Sequence, residues 1–181
     1  MKLKIDGYEF NSNLFGEYNF SNLASSITIG KFLDLSNKEI QEGLNKFLND
    51  SNRSEILIFD SNKIYLDAYN ANPSSMKASI SSFLEEKKNK SVVILGDMLE
   101  LGSYTVIAHQ AVIQQIIDSD IEEVLTIGDH FFETKFKDRR LKKFKTITEA
   151  EKHISGNMYI DRDFLIKGSR GIALERLIEL L

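Results

Sequence analysis

A run of consecutive apolar residues, Val92-Val93-Ile94-Leu95, ends at Gly96 with no polar residue alternating inside it. A strand with one wet face alternates apolar and polar side chains, so residues 91–95 read as a strand buried on both faces, as in a parallel sheet covered by helices. Residues 124–127 and 164–166 extend the pattern. Between these runs the periodicity turns helical, over residues 104–117 and over a segment from Pro73 to about 87. Pro73 is the only proline, and it fits the first turn of a helix, where its missing N–H has no intrahelical partner to lose. Residues 55–59 and 63–66 read as strands around an Asp60-Ser61-Asn62 turn. Residues 144–147 read as a further strand, 149–154 as a helix, and a last helix is expected from Gly171. Strands alternating with helices predict an α/β fold, a Rossmann-like, largely parallel sheet flanked by helices, over residues 50–181.

Residues 1–49 follow a different rhythm. Leu3, Ile5, Tyr8, Phe10 and Leu14 suggest a β-hairpin turning near Asp6-Gly7. A helix over 19–33 carries Phe20, Leu23, Ile27 and Phe32 at approximately helical spacing. A second, over 36–48, has Ser36 as N-cap with Glu39 three residues on, and Ile40, Leu44 and Phe47 on one face. The polar stretch 49–53 interrupts the periodicity, and a domain boundary is expected between residues 49 and 50. Cut from a partner, the first helix would expose Phe20, Leu23 and Ile27 unless they repack.

Composition narrows the function. A chain of 181 residues with 42% hydrophobic content can bury one good core or two small ones. A formal charge of -4 gives no broad basic footprint for nucleic acid or an anionic membrane. There is no cysteine, no apolar leader and no run long enough to span a bilayer. A cytoplasmic protein that binds neither nucleic acid nor membrane is the expectation, and no spacing of residues demands a protein-bound metal site.

The chemistry concentrates in loops that follow apolar strands, where open α/β sheets bind ligands. These are Asp67-Ala-Tyr-Asn-Ala-Asn-Pro73, Leu95-Gly-Asp-Met-Leu-Glu-Leu-Gly102 and Lys167-Gly-Ser-Arg-Gly171. Together with Gly16-Glu-Tyr-Asn-Phe-Ser-Asn-Leu-Ala24 they resemble the Mur ligase family, in its dipeptide-adding branch. The resemblance covers almost the whole chain but only the C-terminal part of such an enzyme, so residues 1–49 would be a small α+β remnant of a central ATPase domain. One departure is visible, since Tyr18 stands where the family usually has histidine.

The resemblance implies ATP-dependent amide formation through an acyl phosphate, with ATP and Mg2+ in the complete enzyme and none held tightly by this piece. It implies D-alanyl-D-alanine and UDP-N-acetylmuramoyl-tripeptide as substrates, and missing N-terminal and ATPase domains as partners. No Gly-x-x-Gly-Lys-Ser/Thr phosphate loop occurs here, so the chain reads as a fragment that is inactive alone. The alternatives are a stand-alone binding module without catalysis and a Mur-like ligase with another amino-acid substrate.

Asn19 and Asn22, at i and i+3, can turn both amides to one ligand, and the family places nucleotide contacts there; otherwise Asn19 is a helix cap. Arg53 matches the family arginine that approaches the nucleotide, although a lone arginine in a polar loop is usually solvated. Asp67 would accept from ribose hydroxyls or cap a turn. Asn72 has family precedent on the same nucleotide, with Tyr69 and Asn70 nearby. On the substrate side, Asp97 and Glu100 would orient the incoming ammonium group or hold a loop network. Lys167, Ser169 and Arg170, at a strand-to-helix turn, would bind the terminal carboxylate of the dipeptide. His109 reads as a structural helix histidine, and no residue is assigned a catalytic role.

Overall fold

A computed structural model describes residues 1–47 and 52–181. The expected boundary between residues 49 and 50 falls outside the described residues. A two-stranded antiparallel hairpin, β1 (Lys2–Ile5) and β2 (Tyr8–Asn11), turns at Asp6-Gly7 and is followed by α1 (Phe20–Phe32) and α2 (Asn37–Lys46). Ser36 caps α2 in a reciprocal box with Glu39, as the spacing predicts. The small core gathers Phe10, Leu23, Ile27 and Ile40, with Leu3, Ile5, Tyr8 and Leu44 packed against it.

Phe20 and Phe32 are apolar but not buried with them: Phe20 lies on the same stripe as Ile27, at the first position of the helix, and Phe32 lies off it. They are 50% and 85% exposed, while Leu23, Ile27 and Gly30 are buried. At about 100° per residue, Phe32 lies some 140° around the helix from Ile27, which takes it off the buried stripe.

The larger unit is a six-stranded sheet in the order β3 (Glu55–Phe59), β4 (Asn62–Asp67), β8 (Arg162–Lys167), β5 (Lys90–Gly96), β6 (Glu123–Ile127), β7 (Leu141–Phe144). Only β3 runs antiparallel to its neighbour, joined to β4 by the tight turn at Asp60. The other pairings are parallel, so their connections must cross a face of the sheet and carry helices. The period-two alternation of each strand feeds two cores. Tyr65, Val93, Leu95, Leu165 and Val124 meet α3 (Pro73–Glu86) and α4 (Thr105–Ile117) on one face. Ile64, Leu66, Val92, Ile94, Leu125, Phe164 and Ile166 meet α6 (Ile147–Ser155) and the C-terminal turns on the other.

Three elements differ from expectation. β7 closes at Phe144, three residues early, because Thr146 and Glu149 form a capping box that starts α6 at Ile147. The short α5 (Asp129–Phe132) was not expected at all. The last helix is two 3₁₀ segments, Arg170–Ile172 and Leu174–Leu180, separated by Ala173 in the left-handed region. Leu174 and Leu177 are both buried, three residues apart, the spacing at which 3₁₀ side chains eclipse. No helix among the described residues is long and apolar enough to cross a membrane.

The two units meet through Phe15. Its ring is fully buried, 4.8 Å from Tyr65, and it belongs to the large core although it precedes α1 in the small unit.

Candidate functional site

The parallel strands β4, β8, β5 and β6 all end along one edge, and the motif residues collect there. β4 ends in Asp67 and β8 in Lys167, and the two are register partners. Their side chains pair: Lys167 Nζ donates to Asp67 Oδ2 at 2.5 Å, and Lys167 is 1% exposed. Tyr18 Oη donates to the same carboxylate oxygen at 3.2 Å and lies 3.2 Å from Ser54 Oγ. Burial, and then the Asp67 charge, push the Tyr18 hydroxyl well above its usual range, so it stays a neutral donor. Tyr18 therefore holds Asp67 from the side of the small unit.

Arg53 is positioned by its neighbours. The Asn52 carbonyl accepts from Ala68 N at 2.8 Å, and the Ser54 carbonyl accepts from Phe15 N at 3.1 Å. The Arg53 guanidinium lies over the Tyr69 ring, 3.5 Å from its centre. Asn19 is buried at the head of α1, but its side chain makes no capping bond; Nδ2 donates to the Phe15 carbonyl at 2.8 Å and Oδ1 accepts from Asn22 Nδ2 at 3.0 Å. Asn22 is exposed.

These residues border a cleft of about 760 Å3 between the two units, lined by Tyr18, Asn19, Asn22, Arg53, Asp67 and Tyr69 among others, with Leu23, Leu35 and Ile40 contributing apolar wall. A volume of that order matches sites that enclose a drug-sized ligand. Three separate stretches of chain thus supply four of the five residues expected at a nucleotide. The fifth, Asn72, is exposed and does not line the cleft. Its Oδ1 accepts from Ser75 N at 2.9 Å and Ser74 Oγ at 2.8 Å, capping α3 in a box with Ser75.

The residues expected at the dipeptide behave less like a single surface. Asp97, 3% exposed, accepts from His130 N and Phe131 N, each at 2.9 Å, at the start of α5. Burial works against its charge, but the His130 and Phe131 amides that donate to it hold its carboxyl below the usual range. His109 is fully buried; Nε2 accepts from Met98 N at 3.1 Å and Nδ1 faces the Thr105 carbonyl at 2.7 Å. That pairing fixes the proton on Nδ1. Ser169 closes the link to β8, since Oγ accepts from Leu99 N at 3.0 Å and its own amide donates to the Asp97 carbonyl at 3.2 Å. A Cβ on Gly168 would come within 2.8 Å of Gly96 Cα, so the two loops touch backbone to backbone. Glu100 and Arg170 are exposed, Glu100 at a φ of 63° and Arg170 5.5 Å from the Tyr69 ring centre. Among the described residues no group of three His, Cys, Asp or Glu side chains could hold a metal ion.

The model of one known family, described as Mur ligase, glutamate ligase domain, matches residues 52–170. The chain belongs to the Mur ligase family. A curated Mur ligase relative, the UDP-N-acetylmuramoyl-tripeptide–D-alanyl-D-alanine ligase of Borreliella burgdorferi, is 30% identical over 96% of this chain and 39% of its own length. The solved structure of MurF from Acinetobacter baumannii superposes with a TM-score of 0.78 at 24% identity, covering 96% of this chain and 39% of that one. MurF ligase from Thermotoga maritima in complex with ADP gives 0.78 at 18% identity, covering 99% and 42%. The structural likenesses carry the fold alone. The chain spans about two fifths of the length of these Mur ligases.

Tyr69 is the residue that sequence reasoning undervalued. The sequence places it only near the nucleotide residues, whereas two guanidinium groups converge on its ring. The available signal was an aromatic two residues past a strand-ending aspartate, on a loop that also bears amides.

Proposed function

We propose that this chain is the C-terminal part of a UDP-N-acetylmuramoyl-tripeptide–D-alanyl-D-alanine ligase of peptidoglycan synthesis, and that its cleft faces the nucleotide. The observation that carries the reading is the convergence of Asn19, Asn22, Arg53 and Asp67 on one cleft from three segments of the chain. The Borreliella burgdorferi relative, a ligase that takes this tripeptide and D-alanyl-D-alanine, supports the substrate choice. ATP would supply the phosphoryl group that turns the acceptor carboxylate into an acyl phosphate, with amine attack and loss of phosphate to follow.

The residues of this chain bind and orient. Asn22 offers a solvent-facing amide to a base edge, with Asn19 fixing its rotation through their mutual bond. Asp67, anchored by Lys167 and Tyr18, presents a carboxylate for ribose hydroxyls, and Arg53 reaches phosphate oxygens. Glu100 is the exposed carboxylate for the dipeptide's ammonium group. Asp97, Lys167 and Ser169 act on the dipeptide indirectly, by fixing the joined loops from which Glu100 projects. Magnesium would be held by residues outside this chain, where the phosphate loop also belongs. The chain alone then binds ligands without turnover, and closure of the remaining domains onto the cleft would complete the site.

The test is phosphate release by the complete protein that contains this chain. Release is expected only when ATP, UDP-N-acetylmuramoyl-tripeptide and D-alanyl-D-alanine are all present. Release with a single amino acid in place of the dipeptide would point to another Mur-like ligase, and no release with any amine donor would favour the binding module.

A further inference from the structure

We infer that Arg53, Tyr69 and Arg170 form one two-armed clamp for a polyphosphate anion, with Tyr69 as the positioning residue between the arms. The inference deepens the nucleotide reading above and rests on it. It moves Arg170 from the dipeptide's carboxylate, where sequence reasoning put it, to the phosphate end of the nucleotide.

The two arginines come from opposite ends of the large unit, one just before β3 and one just after β8. Their guanidinium carbons lie 3.5 and 5.5 Å from the same ring centre, so no more than 9.0 Å separates them. That is within the Debye length of about 10 Å at 0.1 M salt, so their repulsion is not screened away. Neither makes an ion pair among the described residues. The nearby carboxylates are already engaged: Asp67 belongs to Lys167, and Glu39, on the cleft wall, is bonded to Ser36.

At the ends of β4 and β8, Lys167 is thus neutralised by Asp67, while Arg53 and Arg170 have no ion-pair partner among the described residues. Both arms are also fixed at the backbone. Arg53 sits between the Asn52 and Ser54 carbonyl bonds, and Arg170 follows Ser169, which is bonded to Leu99 and Asp97. The ring gives each guanidinium a face to lie on and leaves the N–H edges free for oxygen. An anion with several oxygens can satisfy two such forks, and a di- or triphosphate chain can span the gap.

The experiment is calorimetric titration of the 181-residue chain with three probes, inorganic tripolyphosphate, ADP and adenosine. Tripolyphosphate is expected to bind, and Arg170→Ala and Tyr69→Leu are each expected to weaken it about tenfold, the usual effect of losing a charge-assisted bond. Adenosine affinity should stay within about twofold in both variants. Tyr69→Phe keeps the ring and should bind as the unaltered chain does, which separates loss of the stacking face from loss of a hydroxyl. Arg170 is exposed, so its variant tests the clamp without burdening the fold.

Tripolyphosphate that fails to bind, or that binds Arg170→Ala undiminished, overturns the clamp even if ADP binds well. ADP that binds no tighter than tripolyphosphate would instead overturn the nucleotide reading while the Arg170 dependence upholds the clamp.

Discussion

Asp97 carries more of the site's shape than its surface allows one to see. Its carboxylate starts α5, its backbone carbonyl receives Ser169, and a Cβ on Gly128, which has a φ of 124°, would overlap it at 2.2 Å. Asp97→Asn keeps the size but offers an amide N–H₂ where one backbone donor needs an acceptor. A loss of about 1–3 kcal/mol is expected, read from urea midpoints at neutral pH. The pH dependence has a definite sign. The folded carboxyl lies below its ordinary value of 3.8, so its contribution is complete above that value and disappears as pH falls through the lower folded one. The gap in stability between the native chain and Asp97→Asn should therefore narrow below pH 4; a gap that widens on acidification would show that the carboxylate is not the stabilising form. Sequence could mark Asp97 as important through its glycine-flanked motif. It could not tell a ligand carboxylate from a buried one, because the amides it accepts come from α5, a segment too short to leave a periodic signal.

At the scale of elements, capping chemistry was the most legible feature. Ser36 with Glu39 announces α2, and Pro73 announces α3, since both depend only on residues within one turn. The cap of α3 is Asn72 itself, so Asn72→Ala is expected to cost about 1 kcal/mol of stability in thermal or urea unfolding, while Asn72→Asp or Asn72→Ser keeps most of it. An Asn72→Ala variant of unchanged stability but weakened ADP affinity would return Asn72 to the nucleotide. Continuous apolar strands were equally readable, because burial on both faces leaves its mark on every residue of Val92–Leu95 and Phe164–Ile166. The buried face of α1 was not, as Phe20 and Phe32 are apolar but exposed, and only the partner surface selects Leu23 and Ile27. The strand order could not be read either. β8 is last in the chain yet lies between β4 and β5, and it is this crossing that brings Lys167 to Asp67.

For the whole molecule, the consequence is that the site belongs to neither unit alone. Tyr18, Asn19 and Asn22 come from the small α+β unit, Arg53 from the segment before β3, and Asp67 and Tyr69 from the sheet edge, with Phe15 packed across the junction. Side chains that read as two separate sites in sequence, Asp67 for nucleotide and Lys167 for dipeptide, form one buried ion pair in space. The most direct measurement of the central claim is the change in backbone amide NMR spectra when ADP is added to the 181-residue chain. Perturbations are expected at Asn22, Arg53 and Tyr69 together, across both units, and should be greatly reduced in Asp67→Ala. Saturating ADP that leaves these three amides unmoved, or moves only residues away from the cleft, would contradict a nucleotide-facing site built by both units.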